Sequence, residues 1–205
     1  TLAKRLFSDC KQLKKVILPT TLQSIEDQVF LNCESLQSII LPQTLKSIGS
    51  QAFYNCQSLK SINLESGNIK EIGDRCFYNN HSLLSIILPT NLEVIYTGTF
   101  EYCTTIKSIV LPKTLKSIEA RSFCNCSSLR EVSLPNDLEV IDDGAFQGCK
   151  TLTQIVLPDK LTKIGSEAFA NSALTSIVIP TSVEIIKEGC FFQCLDLHTV
   201  EFLNN

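Results

Sequence analysis

The sequence has no tryptophan, no methionine and only two histidines, His81 and His198, far apart in the chain. A histidine-based metal site has no ligand set here, and the pair Cys124 and Cys126 has no second pair at zinc spacing. No stretch approaches the ~18 to 20 consecutive apolar residues of a membrane-spanning helix, so no membrane insertion by this segment is expected. The first residues lack a charged start followed by an apolar run; either the protein stays inside the cell or such segments lie outside this piece. Charge of one sign is also missing. The chain carries 18 basic and 21 acidic residues, a net charge of −3, with the basic residues scattered singly. That excludes an electrostatic footprint for nucleic acid. The eight glycines fall at expected corners such as Gly49, Gly73 and Gly165, where a turn wants them. "GSQAF" lacks the strand context of a phosphate loop. No nucleophilic triad leaves a local trace, so no catalysis and no cofactor are expected.

What the sequence has is repetition. "SIILP" at Ser38 to Pro42 recurs unchanged at Ser85 to Pro89, with variants "SIVLP" at Ser108, "QIVLP" at Gln154 and "SIVIP" at Ser176. Units start at Leu18, Leu41, Leu64, Leu88, Leu111, Leu134, Leu157 and Ile179, in steps of 23, 23, 24, 23, 23, 23 and 22. The long step arises in "LESGNIKEI", where an extra residue near Gly67 accompanies the loss of proline; the short one arises after Phe169 in "FANSAL". The consensus is L-P-x-x-L-x-x-I-x-x-x-a-F-x-n-C-x-x-L-x-x-I-x. Its aromatic slot, from Phe7 to Phe191, holds nine of the eleven phenylalanines.

A period in the twenties with L-x-x-I-x-L inside it reads as a leucine-rich repeat. One such coil buries too little apolar surface to offset the entropy of ordering its residues, so coils must stack to be stable. The expected fold is a leucine-rich repeat solenoid, a β-dominated α/β superhelix. Each coil of about 23 residues contributes a strand to a parallel concave sheet, a second short extended piece such as "TLKSI", and a short helical or 3-10 corner such as "SQAFYNC". Nine coils at ~4.8 Å spacing span about 40 Å. Residues 1–205 form one domain, with a partial coil over 1–17 and eight coils from Leu18 to about Glu201, expected to be a fragment of a longer array because both ends lack polar caps. Uncapped ends would also pair as a weak homodimer.

The unit, with its "aFxxC" corner and "LP" strand end, resembles the BspA-like leucine-rich repeats of surface proteins of bacteria and protists, over the whole length. The resemblance implies a curved solenoid without catalytic activity, displayed at the cell surface for adhesion to host-cell or matrix proteins. It specifies the fold far more than the ligand. The chain departs from the pattern at Glu65, in place of proline, and at Asn80 and Ser172, in place of the corner cysteine.

Seven of the ten cysteines, from Cys10 to Cys194, occupy one column three residues after the phenylalanine, and Cys76 and Cys190 occupy the small-residue column before it. Buried cysteine behaves as a small hydrophobe, so a packed thiol ladder is expected. Cys124 stands outside both columns and is expected to be the most accessible thiol. So many free thiols argue for a reducing compartment, against the surface location that the resemblance implies; a cytoplasmic location is the alternative. Asn80 and Asn125 match the glycosylation pattern. Asn80 falls in a core column; Asn125 remains a candidate acceptor.

Side chains alternate across a strand, so if Ile39 and Leu41 face the core, Ile40 faces away. That outward column continues with Ile87, Val110, Val156 and Val178, interrupted by Asn63 and Ser133. Its neighbour is small and hydroxylated, with Ser38, Ser85 and Ser108, and Lys60, Lys107 and Arg130 stand at the strand entrance. The plain explanation is that β-branched residues suit strands and shield the ladder. The functional one is that these residues form a protein-binding face with cations along one margin. Two functions fit it: adhesion at the cell surface, or an intracellular scaffold or signalling receptor using the same face.

Overall fold

The structure, a computed structural model, describes residues 1–65 and 68–204. Among the described residues sixteen strands, β1 to β16 along the chain, fall into two parallel ladders, the second broken between β6 and β8. The first holds β1 (Lys15–Val16), β3 (Ser38–Ile39), β5 (Ser61–Asn63), β7 (Ser85–Ile87), β9 (Ser108–Val110), β11 (Glu131–Ser133), β14 (Ser176–Ile179) and β16 (Thr199–Phe202). The second holds β2 (Ser24–Ile25), β4 (Ser47–Ile48), β6 (Glu71–Ile72), β8 (Val94–Ile95), β10 (Ser117–Ile118), β12 (Val140–Ile141), β13 (Lys163–Ile164) and β15 (Ile185–Ile186). Each coil therefore advances the stack by one parallel strand in each ladder, except that the coil holding Gln154 adds none to the first.

The register reproduces the sequence period. Ser38 faces Lys15, 23 residues earlier. Ser61 faces Ser85, which absorbs the 24-residue step, and Lys163 faces Ile185, which absorbs the 22-residue one. The extra residue placed near Gly67 itself lies outside the described residues. The first ladder is less continuous than the repeat predicts: it pairs as β1–β3, β5–β7, β9–β11 and β14–β16, and Gln154 to Val156 form no strand.

The aromatic slot builds the core. Phe7, Phe30, Phe53, Phe77, Phe100, Phe123, Phe146, Phe169 and Phe191 form one continuous pile with centroids 5.2 to 5.8 Å apart and planes within 16° of parallel. Parallel rings at that separation are offset, the arrangement the ring quadrupole favours. The seven inner rings are fully buried, whereas Phe7 and Phe191 at the ends are partly covered.

The corners are turns, which corrects the helical or 3-10 expectation: no helix occurs among the described residues. The reason is where the amides go. Gln28, Phe30 and Asn32 donate their N–H groups to the carbonyls of Ser50, Ala52 and Tyr54 in the next coil, while Leu31 and Cys33 close tight turns onto Gln28 and Phe30. Gln28 and Asn32 sit at φ 59° and 57°, a left-handed conformation that no helix continues through. Alternate amides thus serve the stack and leave too few for a helical ladder.

Candidate functional site

The outward column is where the alternation placed it. Ile40 is 86% exposed, while Ile39 and Leu41 on either side are 6% and 5%. Val110 and Val156 are each 83% exposed, with Ile87 at 49% and Val178 at 44%. Ser38, Ser85 and Ser108 are exposed beside them, as are Lys60, Lys107 and Arg130 at the strand entrance.

The structure groups these residues unevenly. Ile87 and Val110 share a groove of about 500 Å³ whose walls include Leu88, Leu111, Thr90 and Lys113. It lies between β7 and β9, one of the three points at which the pairing of the first ladder is interrupted. Val156 and Val178 share a second groove of about 450 Å³, beside the segment that forms no strand. Ile40 stands apart from both, with the polar Asn63 in the next coil. Leu84, just before β7, is also exposed, at 58%. The sequence signal for it was its position in the column otherwise represented by Lys60, Lys107 and Arg130.

Lys107 and Arg130 lie in neighbouring coils, joined by the Arg130 N–H to the Lys107 carbonyl at 2.8 Å. Lys60 is separated from Lys107 by Leu84. Among the described residues no carboxylate lies within salt-bridge distance of Lys60, Lys107 or Arg130. Their charges are therefore available to an acidic partner, at a margin where screening by salt is appreciable.

Cys124 is a correction: it is fully buried and not the accessible thiol. Its sulfur lies under longer neighbours, 3.5 Å from Gln147 Oε1 and 3.3 Å from Asn125 Nδ2. Burial pushes its pKa up to about 11, which withdraws it from thiolate chemistry at neutral pH. Cys10, in the first coil, is the exposed cysteine. Asn125 is half-buried, and Asn80 is completely buried. Among the described residues no group of three or more His, Cys, Asp or Glu is placed to hold a metal ion, and no helix is long and apolar enough to cross a membrane.

Comparison with known proteins agrees with this architecture. A family profile described as the BspA type leucine rich repeat region matches residues 1–130 and 116–205, in six copies. A leucine-rich repeat protein from Bacteroides ovatus superposes with a TM-score of 0.83 at 29% identity, over 98% of this chain and 57% of its own. One from Eubacterium ventriosum gives 0.71 at 26% identity, over 77% of this chain and 42% of its own. A leucine rich cell surface protein from Faecalibacterium prausnitzii gives 0.68 at 26% identity, over 88% of this chain and 65% of its own. The chain thus spans roughly half the length of the solved relatives it resembles. No curated protein matches it. Matched over its whole length by that profile, the chain belongs to the BspA-type leucine-rich repeat family.

Proposed function

We propose that this chain is a non-catalytic protein-binding module of a cell-surface protein and presents the outward face of its first ladder to a host-cell or extracellular-matrix protein. The observation that carries the reading is the exposed aliphatic row itself, above all Ile87 and Val110, which share one groove. Burying a fully exposed aliphatic side chain is worth about 1.5 to 3 kcal/mol, most of it available at Val110 and about half of it at Ile87, which the fold already half covers. The unpaired cations Lys60, Lys107 and Arg130 at the margin favour a partner that sets acidic residues beside its apolar anchors. That the Faecalibacterium relative is a cell surface protein supports the location.

The ten free thiols favour a second reading, an intracellular scaffold or signalling receptor that uses the same face. A photo-crosslinking amino acid at Ser108 tests the face under either reading, with one at Lys46, exposed beside β4 of the second ladder, as control. Incubated with a basement-membrane extract and, separately, with cytosol, the Ser108 probe should give discrete crosslinked bands that the Lys46 probe does not. Equal crosslinking from both positions would reject the face. Bands with cytosol alone would favour the intracellular reading.

A further inference from the structure

The corner face, opposite in purpose from the ladder just described, carries a different feature. A cleft of about 370 Å³ is lined by Gln51, Tyr54, Arg75, Tyr78, Glu101 and Arg121. No aliphatic side chain is among them. Tyr54 and Tyr78 stack at 4.5 Å with planes 7° apart, and Tyr102 packs edge-on against Tyr78 at 5.5 Å. Glu101, only 3% exposed, is already committed to the Arg121 guanidinium.

Arg75 is different: it is exposed, and among the described residues no carboxylate lies within salt-bridge distance of it. Its side chain lies across Gly98, where an added Cβ would sit 2.9 Å from Arg75 Cγ and 3.1 Å from Glu101 Oε2. Glycine in that coil, at φ 62°, is what leaves room for the guanidinium along the cleft. A ladder of side-chain bonds also ends here. Arg5 Nε donates to Gln28 Oε1 and Gln28 Nε2 donates to Gln51 Oε1, each at 2.5 Å. Gln51 Nε2 is then left without a protein acceptor among the described residues. Burial raises the Tyr78 pKa, so its phenol remains a donor at neutral pH.

The cleft therefore offers donors on every side, and its one carboxylate is spent. We propose that it binds an anionic oligosaccharide, with a carboxylate or sulfate held by Arg75 and Gln51 and a sugar ring against the tyrosines. A guanidinium suits the paired oxygens of either group. The neighbouring amide ladder, in which Asn79 donates to Asn55 at 2.7 Å and Asn55 to Asn32 at 3.0 Å, extends a polar track for sugar hydroxyls beside the cleft. An acidic peptide would want an apolar anchor, which this lining lacks.

The chain reports on the site without labels, because it has four tyrosines and no tryptophan, and three of those tyrosines form this cluster. Tyrosine fluorescence is titrated with a hyaluronan hexasaccharide (carboxylate only), a sulfated glucan hexasaccharide (sulfate only), neutral maltohexaose and hexaglutamate. The proposal expects a saturable change with at least one anionic sugar, which also identifies the anion, and none with maltohexaose. Arg75→Gln should weaken that binding at least tenfold with an unchanged melting curve. Ile87→Ser with Val110→Ser, on the other face, should leave it intact. Silence with both anionic sugars, full binding by the Arg75→Gln protein, loss of binding in the ladder variant, or a hexaglutamate response as strong as the sugars' would each overturn it.

Discussion

Cys126 donates its thiol hydrogen to the carbonyl oxygen of Phe100, in the preceding coil, at 3.1 Å. The same bond joins Cys33 to Phe7, Cys56 to Phe30, Cys103 to Phe77, Cys149 to Phe123 and Cys194 to Phe169. The cysteine column is thus a row of weak donors between coils as well as a row of small hydrophobes. Asn80, which stands in that column, keeps the bond with Nδ2 on the Phe53 carbonyl at 3.0 Å. Its Oδ1 is buried without a partner.

Replacing Asn80 by cysteine removes the orphaned acceptor while keeping a donor for Phe53. An unsatisfied buried polar atom costs about 1 to 3 kcal/mol, so Asn80→Cys should stabilise the protein by roughly that amount. A urea titration reads it as a higher midpoint at unchanged slope. An equal or lower midpoint would show that the orphan carries no penalty.

Thiol reactivity should follow burial. In the native protein a chromogenic disulfide reagent should modify Cys10 at once and Cys194 more slowly, since these are exposed and partly exposed. The remaining eight should react only on unfolding. Rapid native labelling of Cys124 would contradict the packing around it.

Stability should fall at alkaline pH. Burial pushes the pKa of Cys33, Cys103 and Cys190 up to about 12 and raises those of Cys56, Cys76, Cys126 and Cys149 as well. Below the unfolded thiol value of about 8.5 both states hold the proton, and pH has no effect through these groups. Above it the unfolded chain releases protons that the folded chain retains, and stability declines until the folded values are reached. Each such thiol contributes about 1.4 kcal/mol per pH unit. Denaturation midpoints at pH 7.5, 8.5, 9.5 and 10.5 should therefore be level at first and then drop steeply. A flat profile to pH 10.5 would mean that the thiols ionise freely in the folded state.

Truncating the phenylalanine pile should depend on position. Phe100→Ala removes a fully buried ring that stacks on two neighbours, at a cost of about 3 to 5 kcal/mol. Phe7→Ala removes a partly covered ring with one neighbour and should cost less than half as much. Thermal melts of both variants decide it; equal losses would mean that coil position is irrelevant to the pile's stability.

The period, the aromatic pile and the outward row were legible because each depends on local alternation and on a register that repetition makes visible. The corners were not. "SQAFYNC" reads locally as a helical turn, but the amides of Gln51, Phe53 and Asn55 are taken by Asp74, Cys76 and Tyr78 of the following coil, a contact no single unit contains. Cys124 was misread for a similar reason: its column holds mostly larger side chains, and a short one there lies beneath Gln147. The Tyr54 and Tyr78 column was visible in the sequence, but the cleft also needs Arg75, Gln51 and the absent side chain of Gly98 from another column.

The most direct test of the account is the affinity of the Ile87→Ser, Val110→Ser double variant for a basement-membrane surface, measured by interferometry beside the parent protein. Val110 is largely and Ile87 about half out of the core, so the variant should melt as the parent does and lose at least tenfold in binding, the equivalent of about 1.4 kcal/mol. Undiminished binding by a variant that melts normally would contradict the account.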